Sequence, residues 1–600
     1  MTRTESGSVQ PFRQLSDTCA ARLPRSIPPV LRVLPTLKPS HWQAAAWVAL
    51  VALGLAAGIG MREPMPADEP RFVLSAKAMV ESGYWLVPHR GQEFYAEKPA
   101  VFMWLQAAAY TLVRDWRIAF LLPSLLAALV TLWLTWDLAA RLWSRRIAWH
   151  AAGALWVCLQ FGLQAKRGQI DMVLVALTTL ALWALLRHLL VARSRGLLWL
   201  GAFAAGLGTV TKGVGFLPLL VLLPWALLSH RREAALPRTG SALDWLGAGF
   251  AFLAGTAVWL GPLLATLALD PDPALESYTR ELLFKQTGER YANPWMHVQP
   301  WWYYLQVIAT LWLPGALLLP WLVPAWWRRL RRMDPRQVLL LGWSVLVLVF
   351  FSLSPGKREV YIFPALPALC LAAAPLLPGL LRKLGVQRVL AAYLAVLSGL
   401  ATMASMAALA GWSDWARRLA AQREIPWSDE RSLLLWLLTL GFAGCVLLAV
   451  FGARRIGNAL VLFTCWLWAT WGLGFMPAID ASGSARQIMD RAGQAIGPDA
   501  ELGLIAWREQ NLLQADRPVA EFGFKRPWHE QWREAGDWVR AAPRRRWLFV
   551  LGEALGPCVD RDRSLAIGQS NRRSWLLVPG TAVAGDCTTP PFPQDLPDRE

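Results

Sequence analysis

Charged residues are scarce in this 600-residue chain: Asp, Glu, Lys and Arg make up 17% of it, against 55% from the hydrophobic set. Soluble domains carry about a quarter charged residues, so a single soluble domain is excluded, as are a disordered chain and a coiled coil. Cysteine is scarcer still, seven in all, too few to organise a disulfide-framework fold. No Walker loop, no glycine-rich fingerprint following a strand and no CxxC pair occurs. That argues against nucleotide hydrolysis and against a soluble nucleotide-sugar donor. Lysine is rare, nine residues against 51 arginines, so each lysine is an unusual choice.

What the chain has in quantity is long apolar runs. They fall at about 43–61, 118–140, 147–164, 170–186, 197–211, 213–229, 242–268, 303–325, 337–353, 360–381, 389–411, 433–453 and 457–477, thirteen candidate crossings near the ~20 residues that span a hydrocarbon core. The pair around Lys212 is short enough for one member to be re-entrant. Arginines collect in the tail and at 141–146, 187–195, 231–232, 328–332, 382–383 and 454–455. With thirteen crossings all of these clusters share one side, which the positive-inside rule makes the cytoplasm. The formal charge of +19 belongs to these clusters, because residues 478–600 hold 16 basic and 17 acidic side chains. A nucleic-acid partner is therefore excluded by where the charge lies. Residues 1–40 read as a cytoplasmic tail without a signal-peptide pattern. The segment 478–600 falls outside, where its composition predicts a small α/β domain; Cys558 and Cys587 could pair there in an oxidising compartment.

Functional polar groups of such a protein belong where spans meet water, so the outer loops matter most. The first contains Asp68-Glu69-Pro70-Arg71, then Gly83-Tyr84-Trp85-Leu86-Val87-Pro88-His89, then Tyr95-Ala96-Glu97-Lys98-Pro99. Pro70 after two acidic residues starts a helix, and Phe72, Ala76, Met79 and Val80 share one of its faces, as for an interfacial amphipathic helix. Residues 99–113 predict a second helix of that kind. The plain alternative for Asp68 and Glu69 is capping, acidic groups at the positive end of a helix.

These strings, together with Thr211-Lys212-Gly213 and Ser354-Pro355-Gly356-Lys357-Arg358-Glu359-Val360-Tyr361, resemble the bacterial aminoarabinose (lipid A) transferases, which stand with the protein O-mannosyltransferases among the GT-C glycosyltransferases. The likeness runs in order from about 45 to 370. It implies an all-α polytopic membrane protein of about thirteen helices, of GT-C type, with a small α/β C-terminal periplasmic domain. The parts would be a cytoplasmic tail (1–40), a transmembrane catalytic domain (41–477) with periplasmic loops 62–117 and 269–302, and a periplasmic domain (478–600), all in the bacterial inner membrane. It implies transfer of a sugar from a polyprenyl (undecaprenyl) phosphate to a periplasmic-face acceptor, such as lipid A, another envelope glycan or a protein.

The resemblance assigns the catalytic carboxylate to Asp68, with Glu69 and Asp171 as further catalytic candidates. Arg71, Lys98, Lys212, Arg290, Lys357 and Tyr361 become candidate contacts to the donor phosphate, since such a reaction needs cations at the departing phosphate. Glu97 and His297 are offered as ligands of a divalent metal, a weak signal with two ligands only. The alternative function is a transporter or flippase of lipid-linked sugars, which would show midplane charges, broken helices and internal symmetry. Clean spans with charges at their ends favour the transferase.

Overall fold

The computed structural model describes residues 41–230, 240–284, 297–423 and 425–584. The chain divides into two compact units, Met1–Ala49 and Leu50–Glu600, with helix α1 (His41–Ala56) running across the boundary. Among the described residues seven helices are long and apolar enough to cross a membrane, and a pair bent by 102°, Tyr303–Leu311 with Gly315–Arg331, makes up to eight. The other predicted crossings are also helical but shorter or interrupted. The run 147–164, for example, forms Arg145–Val157 and Leu159–Ala165, broken by Cys158 in an extended conformation.

The helical part shares one large apolar core that takes in Leu134, Trp156, Phe161, Trp343 and Phe363. Its outer loop begins with helix α2 (Glu69–Ser82), started by Pro70 and stopped by Gly83, whose φ of +73° is cheap only for glycine. Phe72, Ala76 and Met79 are buried in the helical core, as the i, i+4, i+7 spacing requires. Leu74, about 200° around the helix from Phe72, is buried in a second core. This corrects the interfacial reading of α2: the helix is packed on both faces between two bodies of protein. Beyond it a two-stranded ribbon pairs β1 (His89–Arg90) with β2 (Glu93–Phe94), and α3 (Val101–Val113) buries Phe102 and Met103 while exposing Leu105 and Leu112. The Trp85–Leu86 stretch is fastened by indole N–H groups: Trp104 donates to the Trp85 carbonyl (2.5 Å) and Trp259 to that of Leu86 (2.9 Å).

Two further helices carry site residues, α4 (Ile170–Leu190) and α5 (Arg195–Lys212), and a third, α6 (Pro335–Leu353), leads into the segment that holds Arg358 and Tyr361. The second core belongs to a C-terminal α/β unit. Its sheet runs β4-β3-β5-β7-β6, with β3 (Glu501–Ile505) parallel to β4 (Val519–Glu521) and β5 (Arg546–Leu551). The strands β6 (Leu565–Ser570) and β7 (Arg573–Pro579) complete it in antiparallel pairing. Helices Arg486–Ile496 and Trp528–Ala541 bury Ile488, Met489, Trp532 and Val539 against Leu502, Leu504 and Phe549. The small α/β domain expected from composition is thus present.

Candidate active site

Asp68 precedes α2 as its N-terminal boundary residue, yet its side chain makes no capping hydrogen bond. Asp68 thus stands at the positive end of the helix without spending its oxygens on a cap. Its Oδ2 instead accepts from Gln169 Nε2 (3.0 Å) and from Arg358 Nη2 (3.1 Å), while Oδ1 faces Arg71 Nη1 at 3.8 Å. Burial opposes ionisation, but Arg358, then Arg71 and Lys212, outweigh it and hold the carboxyl below its ordinary value of 3.8. The group is ionised at neutral pH, with Oδ1 its less engaged oxygen.

Glu69, one residue on, points the other way and is saturated. Arg62 holds it through two hydrogen bonds (2.5 and 2.7 Å), and the backbone N–H groups of Met65 (3.0 Å) and Gly168 (2.9 Å) also donate to it. Its position corrects the expectation of a catalytic role: it ties the start of α2 to the 166–168 turn. The carboxylate that the sequence pairs with Asp68 is separated from it by the 100° step between helix neighbours.

A second ion pair lies alongside. Asp171 in the first turn of α4 accepts from the ammonium of Lys212 at the end of α5, and Lys212 also lies over the Tyr361 ring, 5.4 Å from its centroid. On the other flank Arg71 Nη1 is 3.7 Å from Glu97 Oε2. Asp68, Arg71, Glu97, Asp171, Lys212 and Tyr361, spread over almost 300 residues, are therefore brought near one another.

Other assignments come out differently. Lys357 is buried and donates from Nζ to the Gln299 carbonyl (3.3 Å), while its neighbour Arg358 reaches Asp68. Lys98 is half-buried beside Glu97. Lys166 caps the end of α1, donating to the carbonyls of Leu55 (3.1 Å) and Ala57 (2.7 Å). His297 is recorded through its backbone carbonyl, which accepts from Lys357 N (2.9 Å). Among the described residues no three His, Cys, Asp or Glu side chains come together to hold a metal ion. Glu97 is shared by Arg71 and by Arg90, 3.5 Å away, so the metal reading of Glu97 and His297 finds no third ligand. Arg290 and Cys587 lie outside the described residues. Cys558 is disulfide-bonded, and the Ala584 N–H donates to its carbonyl (2.9 Å).

Sequence reasoning missed Arg358, Gln169, Arg90 and Glu509. Arg358 lies within a string already singled out and Arg90 directly follows another, so a search for hydrogen-bond donors there would have found both, and Gln169 stands two residues before Asp171. Glu509 carries no local signal, being joined to the loop across more than 400 residues: its Oε1 lies 3.1 Å from Arg90 Nη1 and 3.6 Å from Arg71 Nε.

This arrangement can be set beside known proteins. Residues 97–260 match the family described as dolichyl-phosphate-mannose-protein mannosyltransferase, a stretch that holds Lys98, Asp171 and Lys212. The crystal structure of ArnT from Cupriavidus metallidurans bound to undecaprenyl phosphate superposes with a TM-score of 0.68 at 20% identity, covering 91% of this chain and 99% of that one. The fold is the one seen in that crystal structure. Curated relatives include undecaprenyl phosphate-alpha-4-amino-4-deoxy-L-arabinose arabinosyl transferase 1 of Pseudomonas fluorescens (strain Pf0-1), 34% identical over 324 residues, 52% of this chain and 52% of that protein. The enzyme of Pseudomonas aeruginosa (strain LESB58) is 34% identical over 318 residues, 51% of this chain and 54% of its own. The chain spans about half the length of the curated relatives it matches.

Proposed function

We propose that this chain is a polyprenyl-phosphate-dependent glycosyltransferase that moves a sugar from undecaprenyl phosphate to an acceptor at the periplasmic face. The names of the relatives favour 4-amino-4-deoxy-L-arabinose as the sugar, and the resemblance of the outer loops favours lipid A as the acceptor. The observation that carries the reading is the ionised carboxylate of Asp68 set among Arg358, Arg71 and the Lys212–Asp171 pair.

In this reaction an acceptor oxygen attacks the anomeric carbon, the bond from that carbon to the carrier phosphate breaks, and its electrons leave with the phosphate. The phosphate goes from a diester with one negative charge to a monoester approaching two. Cations already in place stabilise the departing group more than the bound donor, which accelerates the step. Arg71, Lys212, Arg358 and the half-buried Lys98 fill that role, with the Tyr361 hydroxyl as a donor to a phosphate oxygen. Asp68 presents Oδ1 to the acceptor. A carboxylate held acid of its ordinary value is a weak base, so it suits an acceptor whose proton is already labile, such as a phosphate of lipid A.

The reading also sets the topology: a chain embedded in the inner membrane with about thirteen crossings, a cytoplasmic N-terminus, and loops 62–117 and 269–302 together with the 478–600 domain in the periplasm. Support comes from contact, since Glu509 of the C-terminal unit meets Arg71 and Arg90 of the first loop, which requires the two on one side. Transfer in proteoliposomes holding undecaprenyl phosphate-linked aminoarabinose and lipid A, followed by the mass of the lipid product, tests the function. Asp68→Asn should lose about 10²–10⁴-fold in rate. Full activity in that variant, or passage of labelled donor across the bilayer with no transfer, overturns the assignment.

A further inference from the structure

The C-terminal unit meets the reaction loop with the carboxyl ends of two parallel strands. After β3 the backbone turns through Ala506, at φ +52°, and the short helix α7 (Glu509–Leu513) begins with Glu509. After β4 comes Gly523-Phe524. From these ends the unit grips the β1–β2 ribbon at three places. Glu521, the last residue of β4, accepts from Gln92 N–H (2.7 Å). Glu93 accepts from Lys525 N–H (3.1 Å). Arg90 lies under the Phe524 ring, 3.8 Å from its centroid, with Glu509 at its other edge.

The charges at this seam form an alternating series: Asp68, Arg71, Glu97, Arg90, with Glu509 closing it by touching both arginines. Glu509 is the only member of the series from the C-terminal unit, and it is 6% exposed. A guanidinium is planar, so fixing Nε from one side fixes the direction of the Nη groups on the other. Glu509 lies against the Nε edge of Arg71, and Nη1 of the same guanidinium faces Asp68 and Glu97.

We infer that Glu509 is a positioning residue through which the docked C-terminal unit sets Arg71, and with it the charge environment of Asp68. The inference rests on the function proposed above for its activity arm. Without Glu509 the Arg71 fork loses the carboxylate at its Nε edge and turns towards Asp68 and Glu97, away from an incoming phosphate. Because the phosphate gains charge as its bond breaks, a misdirected Arg71 weakens the transition state more than the donor complex, so kcat should fall further than KM for the donor rises.

The test uses the full-length protein in proteoliposomes. Glu509→Gln should lower kcat at least tenfold with donor KM changed less than threefold, and Glu509→Asp should recover part of it. Glu534→Gln, which removes the same charge from an exposed pair on the same unit, should leave the rate unchanged. In an Arg71→Gln background Glu509→Gln should cost less than threefold more. A full, independent loss in that background overturns the inference, because Glu509 would then act otherwise than through Arg71. A readout free of activity separates the two ideas: amide hydrogen exchange over residues 86–95 should speed up in Glu509→Gln. Unchanged exchange refutes the positioning role even if transfer is confirmed. Faster exchange in a protein with no transfer activity refutes the transferase reading and keeps the docking role.

Discussion

Replacing Arg358 by Gln removes one cation from Asp68 while keeping a side chain of similar polarity. The guanidinium lies 3.1 Å from Oδ2, which at an effective dielectric near 20 is an attraction of about 5 kcal/mol. Desolvation of both groups offsets much of that, and a hydrogen bond between charged partners contributes about 1.5–3 kcal/mol net. Arg71 at 3.8 Å and the more distant Lys212 remain, so the expected loss in kcat/KM is about 10- to 150-fold at neutral pH. The pH dependence gives the sharper signature. Asp68 is held below its ordinary value of 3.8, with Arg358 the largest of the charges opposing its burial. A carboxyl depressed in the folded protein is ionised, and contributes to stability, above its ordinary value, and loses both as the pH falls through the folded value. Without Arg358 burial is less opposed, the folded value rises, and the acid limb of the rate profile moves to higher pH. The measurement is the transfer rate in proteoliposomes from pH 2.5 to 8 for wild type and Arg358→Gln. An acid limb that stays where it was, in a variant slowed as expected, would show that Arg358 acts elsewhere than on Asp68.

Three further outcomes are expected. Lys212→Met leaves the buried Asp171 without its ammonium and should destabilise the protein by about 3–5 kcal/mol; thermal unfolding in detergent checks this, and Lys212→Met with Asp171→Leu should recover most of the loss. Gly91→Ala forces a side chain into φ +64° and drives its Cβ to 2.7 Å from Glu521 Oε1. About 1–3 kcal/mol of strain follows, read as faster amide exchange in the β1–β2 ribbon, and unchanged exchange would show that the ribbon tolerates the residue. Cys587 is the expected partner of the disulfide-bonded Cys558; peptide mapping without reductant should find that pair, and Cys558→Ser should cost about 3 kcal/mol.

Legibility followed the range of the interactions. The apolar runs mark helices because each span satisfies its own backbone and must be apolar along its length, so composition over 20 residues suffices. The start of α2 was legible for the same local reason, through Pro70. The division of labour between Asp68 and Glu69 was not: adjacent carboxylates on a helix start differ only in which neighbours stand across from them, and those neighbours are Arg358 and Gln169 for one, Arg62 and Gly168 for the other. Lys357 and Arg358 divide in the same way, with a buried lysine taken by the Gln299 carbonyl and the arginine beside it turned to the site.

The sequence by itself determined that this chain is built of apolar helices with a polar, charge-balanced C-terminal unit, and that the Asp68 carboxylate stands at the start of a helix, because hydropathy and turn chemistry act over a few residues. Tertiary structure alone decided which cations surround that carboxylate and that Glu509 closes the series. Ion pairs between groups hundreds of residues apart form only once packing has brought their backbones within a few ångströms, and no local pattern encodes that approach.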